Sequence, residues 1–327
     1  MKQSRWWLRA PVLVAPDKFK GTMSASEVGE AIARGLRAAG REAEVMPVAD
    51  GGEGTADALV RALGGEWMEA DTVDALARPI RGRFALLHDG RAIVEAAEAS
   101  GLWRLDPEEL DPWNASTWGT GELIAAAAEA GAKAVLVAVG GTASTDGGAG
   151  ALEALDEAGV DPELVVVCDV RTPFEHAAKV FAPQKGASPD TVKRLGRRLA
   201  ALARRAKRDP RGVPMTGAGG GLSGGLYAFR GAKLVPGAPF VLDALGFDQR
   251  MRRAAFVVTG EGKLDEQTLV GKAAGEVAVR CRQAGVACHA IVGRDDLDDF
   301  SVRILALDSL AEAGDPATLE AAAARLA

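Results

Sequence analysis

Apolar residues in this chain fall in short runs, each followed by a polar, glycine-rich loop and then by a stretch with an apolar residue every three or four positions. Val12 to Ala15 is one such run. Ser24 to Gly40 then places Val28, Ala31, Ile32 and Leu36 on one helical face, with Ser24 and Glu27 spaced as a capping box. The same order recurs at Glu44 to Val48 before Thr55 to Leu63, at Ala134 to Val139 before Ala149 to Ala158, and at Ala255 to Thr259 before Gly271 to Ala284. Strands alternating with helices predict a parallel α/β sheet. Between Gly65 and Gly101 the pattern changes to short alternating runs, Arg83 to His88 and Ala92 to Ala97, separated by the hairpin dipeptide Asp89-Gly90. That stretch predicts antiparallel or mixed pairing.

The fold class is therefore α/β with two domains. Residues 1–66 and 255–327 are expected to form a discontinuous Rossmann-like domain with a parallel sheet, and residues 67–254 an inserted mixed α/β domain. Arg194 to Arg208 reads as an amphipathic helix with Leu195, Leu199 and Leu202 on one face and Lys or Arg around the rest. A solvated helix face is the plain reading of those cations, with attraction of phosphate the alternative.

Composition narrows the classes. At 327 residues and 33.8 kDa, with 48% hydrophobic and 26% charged residues, the chain has room for about two globular domains. A net charge of −6 and a pI near 5.3 argue against a general nucleic-acid binder. No apolar run reaches membrane-span length, and Arg9 interrupts the segment of Lys2, Arg5, Trp6 and Trp7, so neither a span nor a signal peptide is expected. Cys168, Cys281 and Cys288 are odd in number and lack zinc spacing, which points to a reduced, cytoplasmic protein.

The candidate chemistry lies in loops that follow predicted strands, where an open parallel sheet binds ligands. Gly140 to Gly150 combines glycines with Thr142, Ser144 and Thr145 and one carboxylate, Asp146. This is the composition of a phosphate cradle: glycines let backbone N–H groups approach an anion, and Asp146 beside phosphates makes sense with a divalent cation between them. Asp17-Lys18-Phe19-Lys20-Gly21 brings two lysines suited to phosphate or carboxylate. Asp50-Gly-Gly-Glu-Gly-Thr55 sets Asp50 and Glu53 among glycines, suited to a metal or a hydroxyl-bearing substrate, with a helix-start carboxylate as the structural alternative. Asp169 closes the strand Leu164 to Val167, and Lys185 precedes a glycine in Phe181 to Ser188. Thr259 to Thr268 adds Glu261, Lys263 and Asp265. Gly217 to Gly225 contains a formal G-x-G-x-x-G at Gly219, Gly221 and Gly224, but no strand precedes it, so a dinucleotide-binding oxidoreductase is disfavoured even though Asp243 stands at the ribose-binding spacing. The P-loop and protein-kinase motifs are absent, and His88, His176 and His289 have no metal spacing.

Anion loops, lysines and acids without a histidine relay suit phosphoryl transfer. The motifs Ala15-Pro-Asp-Lys-Phe-Lys-Gly21, Asp50 to Thr55, Gly140 to Gly150, Phe181 to Ser188 and Thr259 to Thr268 closely resemble, in the same order, those of the bacterial glycerate kinase family. The resemblance covers nearly the whole chain. It implies ATP- and Mg²⁺-dependent phosphorylation of D-glycerate to 2-phosphoglycerate, with the active site in the cleft between the two domains. The pattern departs from the family at Thr145, in place of Asn, at Arg171-Thr172-Pro173, in place of Asp-Asn-Pro, and at Gly271-Lys272-Ala273, in place of Gly-Lys-Pro.

With the resemblance, Asp169, Lys18, Lys20, Asp50, Glu53 and Lys185 are the catalytic candidates, Asp169 being the first choice of base. Gly140, Gly141, Thr142, Ser144, Gly147, Gly219, Gly220 and Glu261 are the nucleotide-binding candidates, and Asp50, Asp146 and Asp265 the metal candidates. The partners expected are ATP and D-glycerate, with neither nucleic acid nor membrane, in a monomer or homodimer. Phosphorylation at the 3-hydroxyl, another small hydroxy acid as acceptor, or a non-catalytic metabolite sensor are the alternatives.

Overall fold

A computed structural model describes residues 10–327, so most of the N-terminal segment weighed above as a leader lies outside the described residues. The chain starts with β1 (Val12–Pro16) and β2 (Ala43–Val45). It continues through β3 (Gly65–Val73), β4 (Pro79–Leu87), β5 (Arg91–Glu95), β6 (Ala134–Ala138), β7 (Glu163–Cys168) and β8 (Lys233–Pro236). It finishes with β9 (Val257–Gly260), β10 (Cys288–Val292) and β11 (Ser309–Glu312). Two compact units result: the described part of Met1–Asp50 with Ala238–Ala327, and Gly51–Gly237.

The first unit is a five-stranded parallel sheet of order β11-β10-β9-β1-β2. β1 is buried along its whole length, as its uninterrupted apolar run requires when helices cover both faces of a parallel sheet. Val12, Val14, Val28, Ile32, Leu36, Val258, Ile291 and Leu319 form its core. The helix Ala25–Ala38 opens with the expected capping box, Glu27 N donating to Ser24 Oγ at 3.2 Å and Ser24 N to Glu27 Oε2 at 2.8 Å. The chain leaves β1 for β2 on one side and returns to β9 on the other, so the order reverses between β1 and β9. Loops at the carboxyl ends of these two strands border the crevice that such a reversal leaves open.

The second unit is a six-stranded mixed sheet of order β3-β4-β5-β6-β7-β8. β3 pairs antiparallel with β4, β4 pairs antiparallel with β5 through the Asp89–Gly90 turn, and β5 to β8 are parallel. Phe84, Val94, Leu123, Ile124, Val135, Val137, Leu155, Val166, Leu222 and Leu226 build the main core. A smaller cluster of Phe174, Leu195, Leu199 and Ala203 lies under the helix Pro189–Arg205.

The units divide after Asp50 and after Gly237, so two segments sit differently from the sequence grouping. The helix Thr55–Leu63 belongs with the second unit, because the buried Glu95 at the end of β5 accepts a hydrogen bond from Ala56 N at 2.7 Å. Residues 238–254 belong with the first. There Arg280 of the helix Ala273–Ala284 reaches Asp243 at 2.7 Å, Asp248 at 3.2 Å and the Pro239 carbonyl at 3.3 Å. Both ties are tertiary, with no signature in local periodicity. Among the described residues no helix is long and apolar enough to cross a membrane.

Candidate active site

In the first unit, Asp17 follows β1 and Glu261 follows β9, and the register that pairs Pro16 with Gly260 sets the two acids side by side at the reversal point. Asp17 is buried; its N–H donates to the Gly260 carbonyl at 2.8 Å and its Oδ1 accepts from Lys18 N at 2.7 Å. Burial pushes its pKa up to about 7, opposed by the Lys18 charge and reinforced by Asp50 and Glu261. Glu261 accepts from Thr268 Oγ1 at 2.6 Å and from Lys272 Nζ at 3.1 Å. Its burial raises the carboxyl pKa against the pull of Lys272. Lys272 Nζ also reaches Asp265 Oδ1 at 3.2 Å, while Lys263 pairs with Asp296 at 2.8 Å. Asp265 and Glu261 are thus joined through one lysine. Phe19 is buried and closes a tight turn with Met23, which leaves Lys18 half-buried and Lys20 exposed at the crevice.

The Gly140–Gly150 loop of the second unit follows β6 as expected and gathers three of the predicted motifs. A Cβ on Gly140 would lie 2.6 Å from Gly52 Cα and 3.0 Å from Asp169 Oδ2, so only glycine lets the Gly51–Thr55 loop and the end of β7 close on this point. Asp169 is half-buried there and Glu53 exposed. Lys185 is buried, donating from Nζ to Thr142 Oγ1 at 3.3 Å and to the Ser144 carbonyl at 2.5 Å. Loss of water pulls its pKa down to about 8, against the opposing effect of Asp146 and Asp169. Ser144 Oγ and Thr145 Oγ1 are buried without a hydrogen-bond partner in the protein. Unsatisfied buried hydroxyls are costly unless a ligand completes them, and two of them beside a buried ammonium fit an anion such as a phosphate.

Three groups of candidates have structural roles. The Asp146 carboxylate is engaged within the protein: Thr117 N at 2.9 Å, Thr117 Oγ1 at 2.7 Å and Gly150 N at 3.1 Å donate to its Oδ2, and Gly148 N at 3.0 Å donates to its Oδ1. It anchors the loop. Gly219 and Gly220 back the same loop by packing. A Cβ on Gly220 would lie 2.1 Å from the Ser144 carbonyl oxygen, and one on Gly219 2.9 Å from that of Val139. Gly147 likewise makes room for Leu199 and Leu202.

Among the described residues, no group of three or more His, Cys, Asp or Glu side chains is gathered to hold a metal by itself. A Mg²⁺ ion that arrives with a triphosphate needs only one or two protein carboxylates, and in the second unit the half-buried Asp169 has the hard oxygen such an ion prefers. Sequence reasoning missed Asp17, Glu95 and Thr117. Glu95 ends the apolar run Ala92 to Val94, and Asp17 stands at a strand end inside a motif already singled out for its lysines. An acid in either place was the available signal.

The fold and these loops define an α/β class with glycine-rich loops at the ends of its strands. The family model described as Glycerate kinase family matches residues 12–163 and 155–325. A glycerate kinase of Halalkalibacterium halodurans is 34% identical, over 97% of this chain and 97% of its own. A glycerate 2-kinase of Escherichia coli K12 is 36% identical, over 80% of this chain and 79% of its own. A crystal structure from Salmonella typhimurium LT2, described as that of a glycerate kinase 2, superposes with a TM-score of 0.77 at 32% identity, covering 96% of this chain and 94% of that one. The chain belongs to the glycerate kinase family and is an enzyme of that type.

Proposed function

We propose that the protein transfers the γ-phosphoryl group of ATP, with Mg²⁺, to D-glycerate and releases 2-phosphoglycerate and ADP. The observation that carries this reading is the buried Lys185 beside the unpartnered Ser144 and Thr145 hydroxyls on a glycine loop that abuts Asp169. In the proposed roles, the backbone of Gly140 and Gly141 and the hydroxyls of Thr142 and Ser144 hold the phosphates, and Lys185 neutralises charge that develops on the transferring group. Lys18 and Lys20 hold the glycerate carboxylate or the incoming phosphoryl group. Asp50 and Glu53 lie near glycerate and Mg²⁺. Bound Mg²⁺ supplies neutralisation of the phosphate charge.

Asp169 accepts the proton of the attacking hydroxyl, whose oxygen forms the new bond to phosphorus as the bond to the ADP oxygen breaks. Asp169→Asn with near-normal turnover would remove it from that role. Glu261 and Asp265, joined through Lys272, are assigned to the nucleotide ribose or to the metal. We place the enzyme in the cytoplasm, with its three buried cysteines free, as a monomer or homodimer.

The 2-position is favoured because the Escherichia coli relative is named a glycerate 2-kinase. Phosphorus NMR of the protein with ATP, Mg²⁺ and D-glycerate tests transfer and position together. A 2-phosphoglycerate signal is expected. A 3-phosphoglycerate signal would reassign the hydroxyl, and absence of product from a folded, ATP-binding protein would point to another hydroxy acid.

A further inference from the structure

From Lys193 to Arg211 the chain carries nine Lys or Arg side chains against a single carboxylate, Asp209, in a protein of net charge −6. Lys193 pairs with Asp190 at 3.1 Å and Arg211 with Asp209 at 2.6 Å. Arg194 lies 4.1 Å over the Trp113 ring, Arg198 donates to the Trp113 carbonyl at 2.8 Å, and Arg208 lies 3.7 Å over Tyr227. Arg197, Arg204, Arg205 and Lys207 are exposed and form no ion pair with any described residue. Like charges three and four positions apart on a helix repel one another, and a face that served only for solvation would be better built from alternating signs.

The opposite face explains the placement. Leu195 and Leu199 are buried, and Leu199 and Leu202 press on the glycine loop so closely that a Cβ on Gly147 would lie 2.8 and 2.7 Å from their methyl carbons. The cationic helix therefore lies directly on the loop that holds Lys185 and the unpartnered hydroxyls.

We propose that the outer face of the helix Pro189–Arg205 and its following turn, through Arg197, Arg204, Arg205 and Lys207, is an electrostatic collector for the triphosphate of ATP. It concentrates the polyanion at the glycine loop through its field, without contacting it in the bound state. The inference rests on the reading of Gly140–Gly150 as the phosphate cradle. A field of this kind is screened by salt within about 10 Å at moderate ionic strength, whereas a buried contact is screened much less.

The test is isothermal titration of ATP, with and without Mg²⁺, into wild type and into the combined variant Arg197→Gln, Arg204→Gln, Arg205→Gln and Lys207→Gln, at low and at high salt. A charge-keeping variant with Arg197→Lys, Arg204→Lys and Arg205→Lys runs beside them. The neutralised protein is expected to bind ATP about three- to tenfold more weakly at low salt. The gap should close at high salt, and the charge-keeping variant should match wild type. Equal affinities at low salt overturn the proposal, and so does a gap that persists at high salt, since that marks direct contact. Binding of a short RNA by wild type but not by the neutralised variant, with ATP affinity unaffected, also overturns it and reassigns the face to nucleic acid. Failure of wild type to bind ATP at all would remove the cradle reading itself, whereas ATP binding indifferent to these four charges removes the collector alone.

Discussion

Replacing Lys185 by methionine keeps an unbranched side chain in a buried site and removes its charge. The fall of the Lys185 pKa from 10.5 to about 8 corresponds to roughly 3 kcal/mol by which burial disfavours the ammonium at neutral pH. Against this relief, the variant leaves the Ser144 carbonyl and Thr142 Oγ1 without the donor they now have, at a cost of about 1 to 3 kcal/mol. The two effects oppose each other, and the expected change in stability at pH 7 is within about 2 kcal/mol of zero. Catalysis has no such offset: losing one charge-assisted contact to the transferring group lowers kcat/KM by about a hundredfold.

Urea unfolding from pH 7 to 10, with steady-state kinetics on the same preparations, checks both parts. Above about pH 8 the folded protein has released the Lys185 proton, while the unfolded chain keeps it to about 10.5. The unfolded state then binds more protons, so wild-type stability gains from this group as pH rises through that window, and the methionine variant lacks the gain. Parallel pH profiles, destabilisation beyond about 4 kcal/mol at pH 7, or unchanged turnover would each refute the reasoning.

Asp146→Ala should destabilise the protein by about 3 to 5 kcal/mol in thermal or urea unfolding, because three buried N–H groups and the Thr117 hydroxyl lose their acceptor together. A variant of native stability that loses only its Mg²⁺ dependence would return Asp146 to the metal. Asp17→Asn should be more stable than wild type above pH 7. The folded protein holds the Asp17 proton up to about 7 and the unfolded chain only to about 3.8, so wild-type stability falls across that window and that of the variant does not; unfolding curves at pH 4, 6 and 8 decide it. Lys20→Ala removes an exposed side chain and should leave the melting temperature in place while raising the KM for glycerate about tenfold or more. Values of KM and kcat within a few-fold of wild type would take Lys20 out of the site. Gly141→Val should abolish ATP binding in a folded protein, since valine is strained at φ +75°.

Features that depend on near neighbours were legible in the chain itself. The capping box at Ser24, the Asp89–Gly90 turn, the alternation of strand and helix, and the glycine-rich loops at strand ends all follow from periodicity and backbone sterics. Because a parallel sheet binds at its carboxyl edge, those loops also drew attention to Lys18 and Asp169 as candidates.

Tertiary packing decided which way the groups face. Asp146 turns inward because Thr117, 29 residues earlier, meets it with two donors. The helix Thr55–Leu63 joins the second sheet because Glu95, 39 residues away, caps its first turn. Gly219 and Gly220 look like a nucleotide fingerprint in the chain, yet they are small because the backbone at Val139 and Ser144 comes against them. Burial above all moves the Lys185 and Asp17 pKa values, since desolvation by distant neighbours shifts a pKa and no spacing along the chain encodes it.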